Sequence, residues 1–316
     1  MPDLIAIGEP LAEMAAESAG PLGAVDRFRS GWGGDTANFV LAAARLGGTC
    51  GYVTRVGRDA FGAAFVAMLE AHGVDAAQVK ADADHHTGLY FVTYTEERQH
   101  RFDYLRRGSA ASHLSGADID PDYVAGAKVL HASGISQAIS GSCADAVRVA
   151  MELAQEAGTT VSYDANVRPA LGDRETLRRN FEAAQARADI VFVSEEDAAY
   201  LYGDTPLEAV LDRIVAERPR LAVAKLGADG CLIKSDAGER CHVLAWRIDA
   251  VDATGAGDAF SAGFVLSLLA DAGLAEAGRY ANAVGALTAS GVGAIAPQPS
   301  HAEVMAFMEA QAPGLR

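Results

Sequence analysis

Basic residues are scarce in this chain of 316 residues, where 26 lysines and arginines stand against 42 aspartates and glutamates. The resulting formal charge of −16 makes nucleic acids and anionic membrane surfaces poor partners, because both repel a strongly negative protein. A phosphorylated or carboxylate ligand would therefore need a local cluster of basic side chains, and such a cluster should stand out from this background.

Cysteines and long apolar runs are also few. The four cysteines show neither C-x-x-C spacing nor the density of a disulfide framework, which predicts reduced thiols. We find no signal-peptide pattern and no apolar run of membrane-spanning length, since the first apolar run, 4–7, is broken at once by Gly8 and Glu9. We therefore expect a soluble, cytoplasmic protein without a membrane partner.

Several familiar site motifs are missing. No G-x-x-x-x-G-K-[ST] sequence occurs, so a nucleotide site in this chain would not be a P-loop. A Rossmann fingerprint is excluded at 255–257 because Phe260 stands where a third small residue is needed. Neither an H-E-x-x-H motif nor a cluster of Cys and His predicts zinc, and no G-x-S-x-G elbow surrounds Ser133.

The second half of the chain alternates apolar strand patterns with helical patterns from residue 129 onward. This alternation predicts an α/β fold with a mostly parallel sheet and helices on both faces. Ligands in such folds bind at the carboxyl ends of the strands. The polar residues that fall there are Asn166, Arg168, Glu195, Lys225 and Asp258.

The segment 88–108 departs from this alternation. Two aromatic-rich runs, 89–94 and 101–107, alternate polar and apolar residues and are separated by the polar residues 96–99. This pattern is typical of a β-hairpin with one solvated face. We interpret it as part of a separate small sheet that projects from the α/β body, where it could act as a lid.

The stretch 252–258 follows a predicted strand and opens a long apolar helix. Gly255, Ala256 and Gly257 leave the backbone bare at the helix start, where amide groups and the helix dipole favour an anion. Asp258 adds a carboxylate, which suits a base that takes a proton from an attacking hydroxyl during phosphoryl transfer. An aspartate that only caps a helix behind a glycine turn is an equally common reading of this stretch alone.

Two separated stretches resemble the signatures of one family. The stretch 33–38, with Gly47 and Gly57 at their spacings, is similar to the N-terminal signature of the ribokinase-like (PfkB) carbohydrate kinases, and 252–258 is similar to their C-terminal signature. The resemblance covers nearly the whole chain. It implies one ribokinase-like α/β domain over 1–316, with lid strands from about 10–32 and 88–107 inserted in it.

The resemblance also implies a reaction, in which Asp258 takes the proton of a sugar hydroxyl that attacks the γ-phosphate of ATP. The amides of Gly255, Ala256 and Gly257 would then hold the developing charge, and Mg²⁺ would bridge the phosphates. The resemblance leaves the metal ligands unidentified and activation by a monovalent cation open. The residues that it places near the nucleotide are Asn166, Ser194, Lys225, Gly227, Gly230, Gly255, Gly257 and Asn282.

Within the family, the chain looks most like the 2-keto-3-deoxygluconate kinases. The positions that match their substrate site are Gly34, Asn38, Tyr90, Tyr104, Arg106, Arg168 and Asp258. The resemblance implies that Arg106 and Arg168 clamp the carboxylate of a sugar acid while Tyr90 and Tyr104 donate hydroxyl groups. These arginines would be the local basic cluster that the acidic background requires. Arg107 is expected on the opposite face of the strand.

Three departures from the family pattern stand out. Ser194 and Asp197 occupy the ends of the N-x-x-E motif that organises Mg²⁺, Ala253 replaces a common threonine, and Asp103 replaces an aromatic residue. We nevertheless expect an ATP-dependent kinase that converts 2-keto-3-deoxygluconate to its 6-phosphate. A neutral-sugar kinase (fructokinase or ribokinase-like) and a non-catalytic sugar-binding protein are the alternatives. Exposed aromatic lid strands predict a homo-oligomer that assembles through the lid sheet.

Overall fold

Two β-sheets organise the protein, which we describe from a computed structural model covering residues 1–95 and 100–311. The predicted polar turn at 96–99 lies outside the described residues. The strands are β1 (Leu4–Ile7), β2 (Leu11–Ala16), β3 (Phe28–Gly33), β4 (Cys50–Gly57), β5 (Val79–Asp82), β6 (Leu89–Tyr94), β7 (His100–Leu105), β8 (Val129–Ser133), β9 (Thr160–Asp164), β10 (Ile190–Ser194), β11 (Leu221–Lys225), β12 (Cys231–Ser235) and β13 (Arg240–Val243).

Helices connect most of these strands and cover both faces of the larger sheet. They are α1 (Asp35–Arg45), α2 (Ala60–Ala71), α3 (Pro121–Ala125), α4 (Gly134–Ala138), α5 (Gly141–Ala157), α6 (Arg174–Gln185), α7 (Glu195–Tyr202), α8 (Leu207–Glu217), α9 (Ala256–Leu269), α10 (Leu274–Ala289) and α11 (His301–Gln311). Within the described ranges, no helix is both long and apolar enough to cross a membrane.

The larger sheet has nine strands in the order β13-β12-β11-β10-β9-β8-β1-β4-β5. The strands from β11 to β5 run parallel, and β12 and β13 add an antiparallel hairpin at one edge. This arrangement confirms the predicted α/β class with a mostly parallel central sheet. The hairpin confirms the predicted pair at 231–234 and 241–246, although its second strand already ends at Val243.

The core lies on both faces of the larger sheet because successive side chains of a strand point to opposite faces. In β1, Leu4 and Ala6 belong to one buried cluster, whereas Ile5 and Ile7 belong to the other. The first cluster packs against α1, α9 and α10, and the second against α5, α6 and α8. A strand buried on both faces reads as an unbroken apolar run, which explains why these strands were visible in the sequence.

The smaller sheet has four strands in the order β3-β2-β6-β7 and forms the lid sheet. Strands β6 and β7 pair antiparallel, with Tyr90 opposite Tyr104, which confirms the hairpin predicted for 89–94 and 101–107. A small apolar cluster packs within this sheet, with Leu11, Tyr90 and Val92 among its buried members. The lid sheet leaves an open cavity between itself and the carboxyl edge of the larger sheet.

Candidate active site

A cavity of about 1000 Å³ lies at the carboxyl ends of the parallel strands, beneath the lid sheet. Most residues predicted for the site line it, although they come from distant parts of the chain. These residues are Gly34, Asn38, Tyr90, Tyr104, Arg106, Asn166, Arg168, Ser194, Lys225, Gly227, Gly255, Gly257 and Asp258. The cavity is therefore large enough for a nucleotide and a small second ligand side by side.

Helix α9 begins at this cavity with a geometry that only glycine accepts easily. Gly255 has a φ of +76°, and a Cβ atom there would lie 2.7 Å from the carbonyl oxygen of Ala294. The Ala256 amide donates to the carbonyl of Ala253 at 3.1 Å. Among the described residues, no acceptor pairs with the amides of Gly257 and Asp258. Two amides without an acceptor at the start of a helix are suited to bind an anion.

Asp258 presents its carboxylate beside those amides. Asn38 of α1 donates its side-chain amide to Asp258 Oδ2 at 2.8 Å, which orients the carboxyl group. Burial and the nearby charge of Asp35 raise the pKa of Asp258 to about 7, against the lowering effects of Asn38 and Lys225. A carboxyl group with a pKa near neutrality is suited to accept a proton from a hydroxyl and to release it again.

The pKa of Asp258 leads to a prediction for the pH profile. In the reaction that the resemblance implies, Asp258 works unprotonated, so kcat/KM for the sugar is expected to rise with pH through about 7. The Asn38→Ala variant removes a hydrogen bond that favours the carboxylate, so its acid limb should move to higher pH. Initial rates between pH 5 and pH 9 measure the acid limb of the wild type and of the variant. If the two acid limbs coincide, Asn38 does not control the pKa of Asp258.

Asp35 is a site residue that we did not single out from the sequence, although it lies inside the motif 33–38. It lines the cavity, and Asn166 donates its side-chain amide to Asp35 Oδ2 at 3.1 Å. Burial raises the pKa of Asp35. Asn166 itself adopts a φ of +35°, which turns its side chain from the end of β9 toward α1. The hydrogen bond between Asn166 and Asp35 therefore joins the loop after β9 to the start of α1.

Lys225 ends β11 and forms an ion pair with Asp164, which ends β9. Both charged groups lie at the carboxyl edge, on either side of β10. Asp164 is a second residue that sequence reasoning did not single out, and its position at the end of a parallel strand was the available signal. Ser261 of α9 also donates to Asp164, at 3.1 Å.

The arginine end of the cavity combines charge with aromatic rings. The Arg106 guanidinium pairs with the buried carboxylate of Glu9 and lies 5.4 Å from the centre of the Tyr104 ring. Arg168 is exposed at the cavity wall, where its side chain donates to the carbonyl of Val167. Glu9, which follows β1, was also not singled out from the sequence. Arg106 therefore reaches the cavity already paired with an acid.

Tyr90 lines the cavity as predicted for a substrate residue, and its hydroxyl is engaged within the lid sheet. Its side chain is buried, and its hydroxyl donates to the carboxylate of Glu13 on the neighbouring strand β2. This contact follows from the strand pairing, since Tyr90 and Glu13 are paired across β2 and β6. Tyr104, directly opposite Tyr90 on β7, is the tyrosine whose ring remains exposed.

Three other predicted residues lie outside the cavity wall. Asn282 donates its side-chain amide to the carbonyls of Val243 and Leu244, so it ties α10 to the end of β13. Gly230 has a φ of +92° and packs against the backbone of Val243, which makes it a turn glycine. Ala256, as described above, uses its amide within the turn before α9.

The motif at 194–197 forms a capping box at the start of α7. Asp197 accepts hydrogen bonds from the amides of Val167 at 2.7 Å and Ser194 at 2.9 Å, and the Ser194 hydroxyl accepts from the Asp197 amide. Both carboxylate oxygens of Asp197 are therefore engaged by backbone amides. In the described part of the chain, no group of three or more His, Cys, Asp or Glu side chains could hold a metal ion.

These features define a class of protein. An α/β body with an anion-binding helix start, an adjacent base and a small β lid is suited to transfer a phosphoryl group to a hydroxyl. The comparison with protein families agrees: residues 1–301 match the description "pfkB family carbohydrate kinase". The chain belongs to this family and is a sugar kinase.

Similar proteins include two curated relatives of different specificity. The chain is 37% identical to fructokinase-1 of Oryza sativa subsp. japonica, over 97% of each chain. It is 31% identical to the 2-dehydro-3-deoxygluconokinase of Bacillus subtilis, over 98% of this chain and 96% of the relative. An E. coli structure described as a ribokinase II, in complex with ATP and Mg²⁺, matches 98% of this chain and all of its own with a TM-score of 0.92 at 27% identity.

Proposed function

We propose that this kinase phosphorylates 2-keto-3-deoxygluconate at the 6-hydroxyl, with ATP as donor and Mg²⁺ as its partner ion. One observation carries the proposal: Arg106, Arg168 and Tyr104 line one end of the cavity that holds Asp258. Two arginines at one site offer charged donors that a neutral sugar does not need and that a carboxylate can use, and basic residues are few in this chain of charge −16. The Bacillus subtilis relative supports this substrate by its name.

The reaction follows from the residues around Asp258. The sugar hydroxyl gives its proton to the Asp258 carboxylate as its oxygen bonds to the γ-phosphorus of ATP. The bond from phosphorus to the bridging oxygen breaks, and ADP leaves with that electron pair. The amides of Gly257 and Asp258 face the charge that builds up on the phosphoryl oxygens. Bound Mg²⁺ would neutralise phosphate charge and would be held by phosphate oxygens of ATP and by water.

The nucleotide would occupy the part of the cavity at the start of α9. Ser194, Lys225 and Gly227 line the same cavity as Gly255 and Gly257, and the E. coli structure in complex with ATP and Mg²⁺ supports the assignment by its shared fold. A lysine and bare backbone amides fit polyphosphate chemistry. Asn166 bridges to Asp35 and would separate nucleotide from sugar. Activation by a monovalent cation stays part of the proposal to be tested.

A neutral-sugar kinase, such as a fructokinase, is the second candidate. Its specific support is the Glu9 carboxylate, which already neutralises Arg106, together with the 37% identity to the rice fructokinase. A sugar-binding protein without activity is disfavoured, because Asp258 and the amides beside it are in place.

Purified protein with ATP and Mg²⁺ tests the proposal against a panel of 2-keto-3-deoxygluconate, its galactonate epimer, fructose and ribose, with ADP formation as readout. We expect the highest kcat/KM for the ketodeoxy acid. A preference for fructose would establish the second candidate, and no ADP with any sugar would contradict the kinase reaction.

A substitution of Arg168 distinguishes the sugar-acid kinase from the neutral-sugar kinase more sharply than the panel of sugars does. Arg168→Ala is expected to raise KM for the sugar acid by about tenfold or more, since a hydrogen bond to a charged group contributes about 1.5–3 kcal/mol. KM for fructose should change little. Arg107→Ala is the control, because Arg107, which follows β7, is exposed like Arg168 but does not line the cavity. Equal KM values for the acid in wild type and Arg168→Ala would move the carboxylate site elsewhere.

We also propose that residues 1–316 act as one domain, in the cytoplasm and as a homo-oligomer. The four cysteines are free thiols, which supports a reducing compartment. Phe102, Tyr104 and Leu105 are exposed on β7, one of the two edge strands of the lid sheet, which supports assembly through that sheet. Light scattering of wild type and of a Phe102→Ser variant measures this assembly.

A further inference from the structure

We infer that Lys225 is a catalytic residue that contacts the phosphoryl group during transfer, and that Asp164 is the positioning residue that holds the Lys225 ammonium in place. The inference rests on the proposed kinase reaction and adds two roles to it. It states that Lys225 stabilises the transition state, which goes beyond a role in binding the nucleotide.

The first support is the way in which Lys225 is held. Its Nζ atom donates to Asp164 Oδ2, the oxygen to which the Ser261 hydroxyl also donates at 3.1 Å. The Asp164 side chain is 3% exposed, whereas that of Lys225 is 16% exposed and lines the cavity. Within the described residues, the other oxygen of Asp164 has no hydrogen-bond partner. The carboxylate is therefore a buried anchor, and the ammonium is the end that meets the cavity.

The second support is the position of the ammonium next to helix α9. A Cβ atom on Gly257 would lie only 3.4 Å from Lys225 Nζ, so the ammonium sits against the first turn of the helix. That turn carries the amides of Gly257 and Asp258 that face the cavity. An ammonium has three donors. One is used by Asp164, and the others are available to the same phosphoryl oxygens that these amides would bind.

The charges around Lys225 keep it protonated. Asp164 faces it from β9, Asp258 from α9 and Asp197 from α7. Burial acts to lower the pKa of Lys225, but these carboxylates, with Asp164 first, raise it. His131 of β8 adds no competing charge, because burial lowers its pKa to about 3.

A protonated lysine in this position moves no proton in the reaction. The sugar proton goes to Asp258, and the electron pair of the breaking bond leaves with ADP. Lys225 instead donates hydrogen bonds to the phosphoryl oxygens, whose charge is redistributed as the phosphoryl group passes from ATP to the sugar. Fixed donors aimed at such charge act on kcat rather than on ground-state binding.

Lys225→Met tests the catalytic role. We expect kcat to fall by about 10²–10³-fold, as for the loss of one donor to a developing charge, with KM for the sugar within about twofold. The matched control is a second Lys–Asp pair, Lys128 with Asp3, whose charged atoms lie 3.2 Å apart. These residues directly precede β8 and β1, so they lie at the amino ends of the strands, opposite the cavity. Lys128→Met and Asp3→Asn should retain wild-type kinetics.

Asp164→Asn tests the positioning role. Without the carboxylate, burial dominates the Lys225 pKa and lowers it, so the alkaline limb of kcat should move to lower pH. The expected loss in kcat is about tenfold or more. Because this variant leaves a buried charge without its partner, we pair it with the double variant Lys225→Met/Asp164→Asn, which removes both charges. Thermal unfolding of each variant checks the fold.

The double variant decides whether Asp164 acts through Lys225. If it does, the double variant has the kcat of Lys225→Met alone, and the two losses do not add. Additive losses, or an alkaline limb that stays in place in Asp164→Asn, would overturn the positioning role. A Lys225→Met enzyme with unchanged kcat and a raised KM for ATP would overturn the catalytic role. These results differ from failure of the proposed function, in which the wild-type protein itself forms no ADP.

Discussion

Replacing Asp258 by asparagine is expected to lower kcat by about 10³-fold or more, because a positioned general base contributes about 10²–10⁴-fold and Asp258 is the carboxylate that α9 carries beside its free amides. Asparagine has the same shape but cannot accept the sugar proton. ATP binding should persist, since the Gly257 and Asp258 amides remain and a negative charge is removed next to the phosphates. ADP formation in a coupled assay and ATP binding by calorimetry measure the two effects.

The carboxylates around Asp258 allow this experiment to distinguish a loss of chemistry from a loss of folding. Asp35 and Asp164 both raise its pKa, so the folded protein tolerates several close carboxylates at this edge of the sheet. Asp258→Asn relieves that repulsion and should leave Tm unchanged or slightly higher, as is common where a site is built for activity rather than for stability. Loss of turnover with an intact Tm would therefore separate chemistry from folding.

The control for Asp258→Asn lies at the other end of the same helix. Asp271 is exposed two residues after α9 and adopts a φ of +60°, which asparagine also accepts. Asp271→Asn should retain wild-type kcat and Tm. Turnover in Asp258→Asn at the wild-type rate would remove Asp258 as the base, and a joint loss of ATP binding and Tm would point to damage of the helix start instead.

The fold was predictable because its signals are local. β10 is an apolar run buried on both faces, and such a run indicates a parallel strand between helices. The lid hairpin was visible because 89–94 and 101–107 alternate in a different period from the rest. The start of α9 could be placed because Gly255 and Gly257 mark a turn into an apolar helix. Each of these signals is contained in fewer than about 20 residues.

The partners of the site residues were not predictable, because they come together only in the folded protein. The hydroxyl of Tyr90 points at Glu13 because β2 pairs with β6, and nothing in either strand alone encodes that pairing. Arg106 could be identified as a basic residue near the site, but its neutralisation by Glu9 depends on where β1 ends. Asn282 was predicted near the nucleotide from the family resemblance, but its hydrogen bonds to the carbonyls of Val243 and Leu244 depend on how α10 packs against the end of β13.

Gly34→Ala has the second large expected effect, this time on stability and on the sugar site together. Gly34 has a φ of +104°, and a Cβ atom there would lie 2.1 Å from the carbonyl oxygen of Glu9. Because backbone cannot move aside as a flexible side chain can, the loop before α1 must shift. We expect the free energy of unfolding to fall by about 3 kcal/mol or more, combining backbone strain of about 1–3 kcal/mol with overpacking of similar size.

The same shift should displace Asp35 and Asn38, which α1 carries into the cavity. We therefore expect KM for the sugar to rise by about tenfold or more in Gly34→Ala, consistent with the loss of oriented hydrogen bonds. KM for ATP should change less, because Lys225 and the amides of α9 belong to other elements. Chemical denaturation and steady-state kinetics on the same preparation measure the two effects.

Gly47→Ala separates strain from collision, since Gly47 has a nearly equal φ of +98° but no atom within 4 Å of a Cβ position. It follows the same helix at its other end, outside the cavity. Strain alone should lower its free energy of unfolding by about 1–2 kcal/mol and leave both KM values unchanged. If Gly34→Ala were no less stable than Gly47→Ala and bound sugar normally, the close contact between Gly34 and Glu9 would not shape the site.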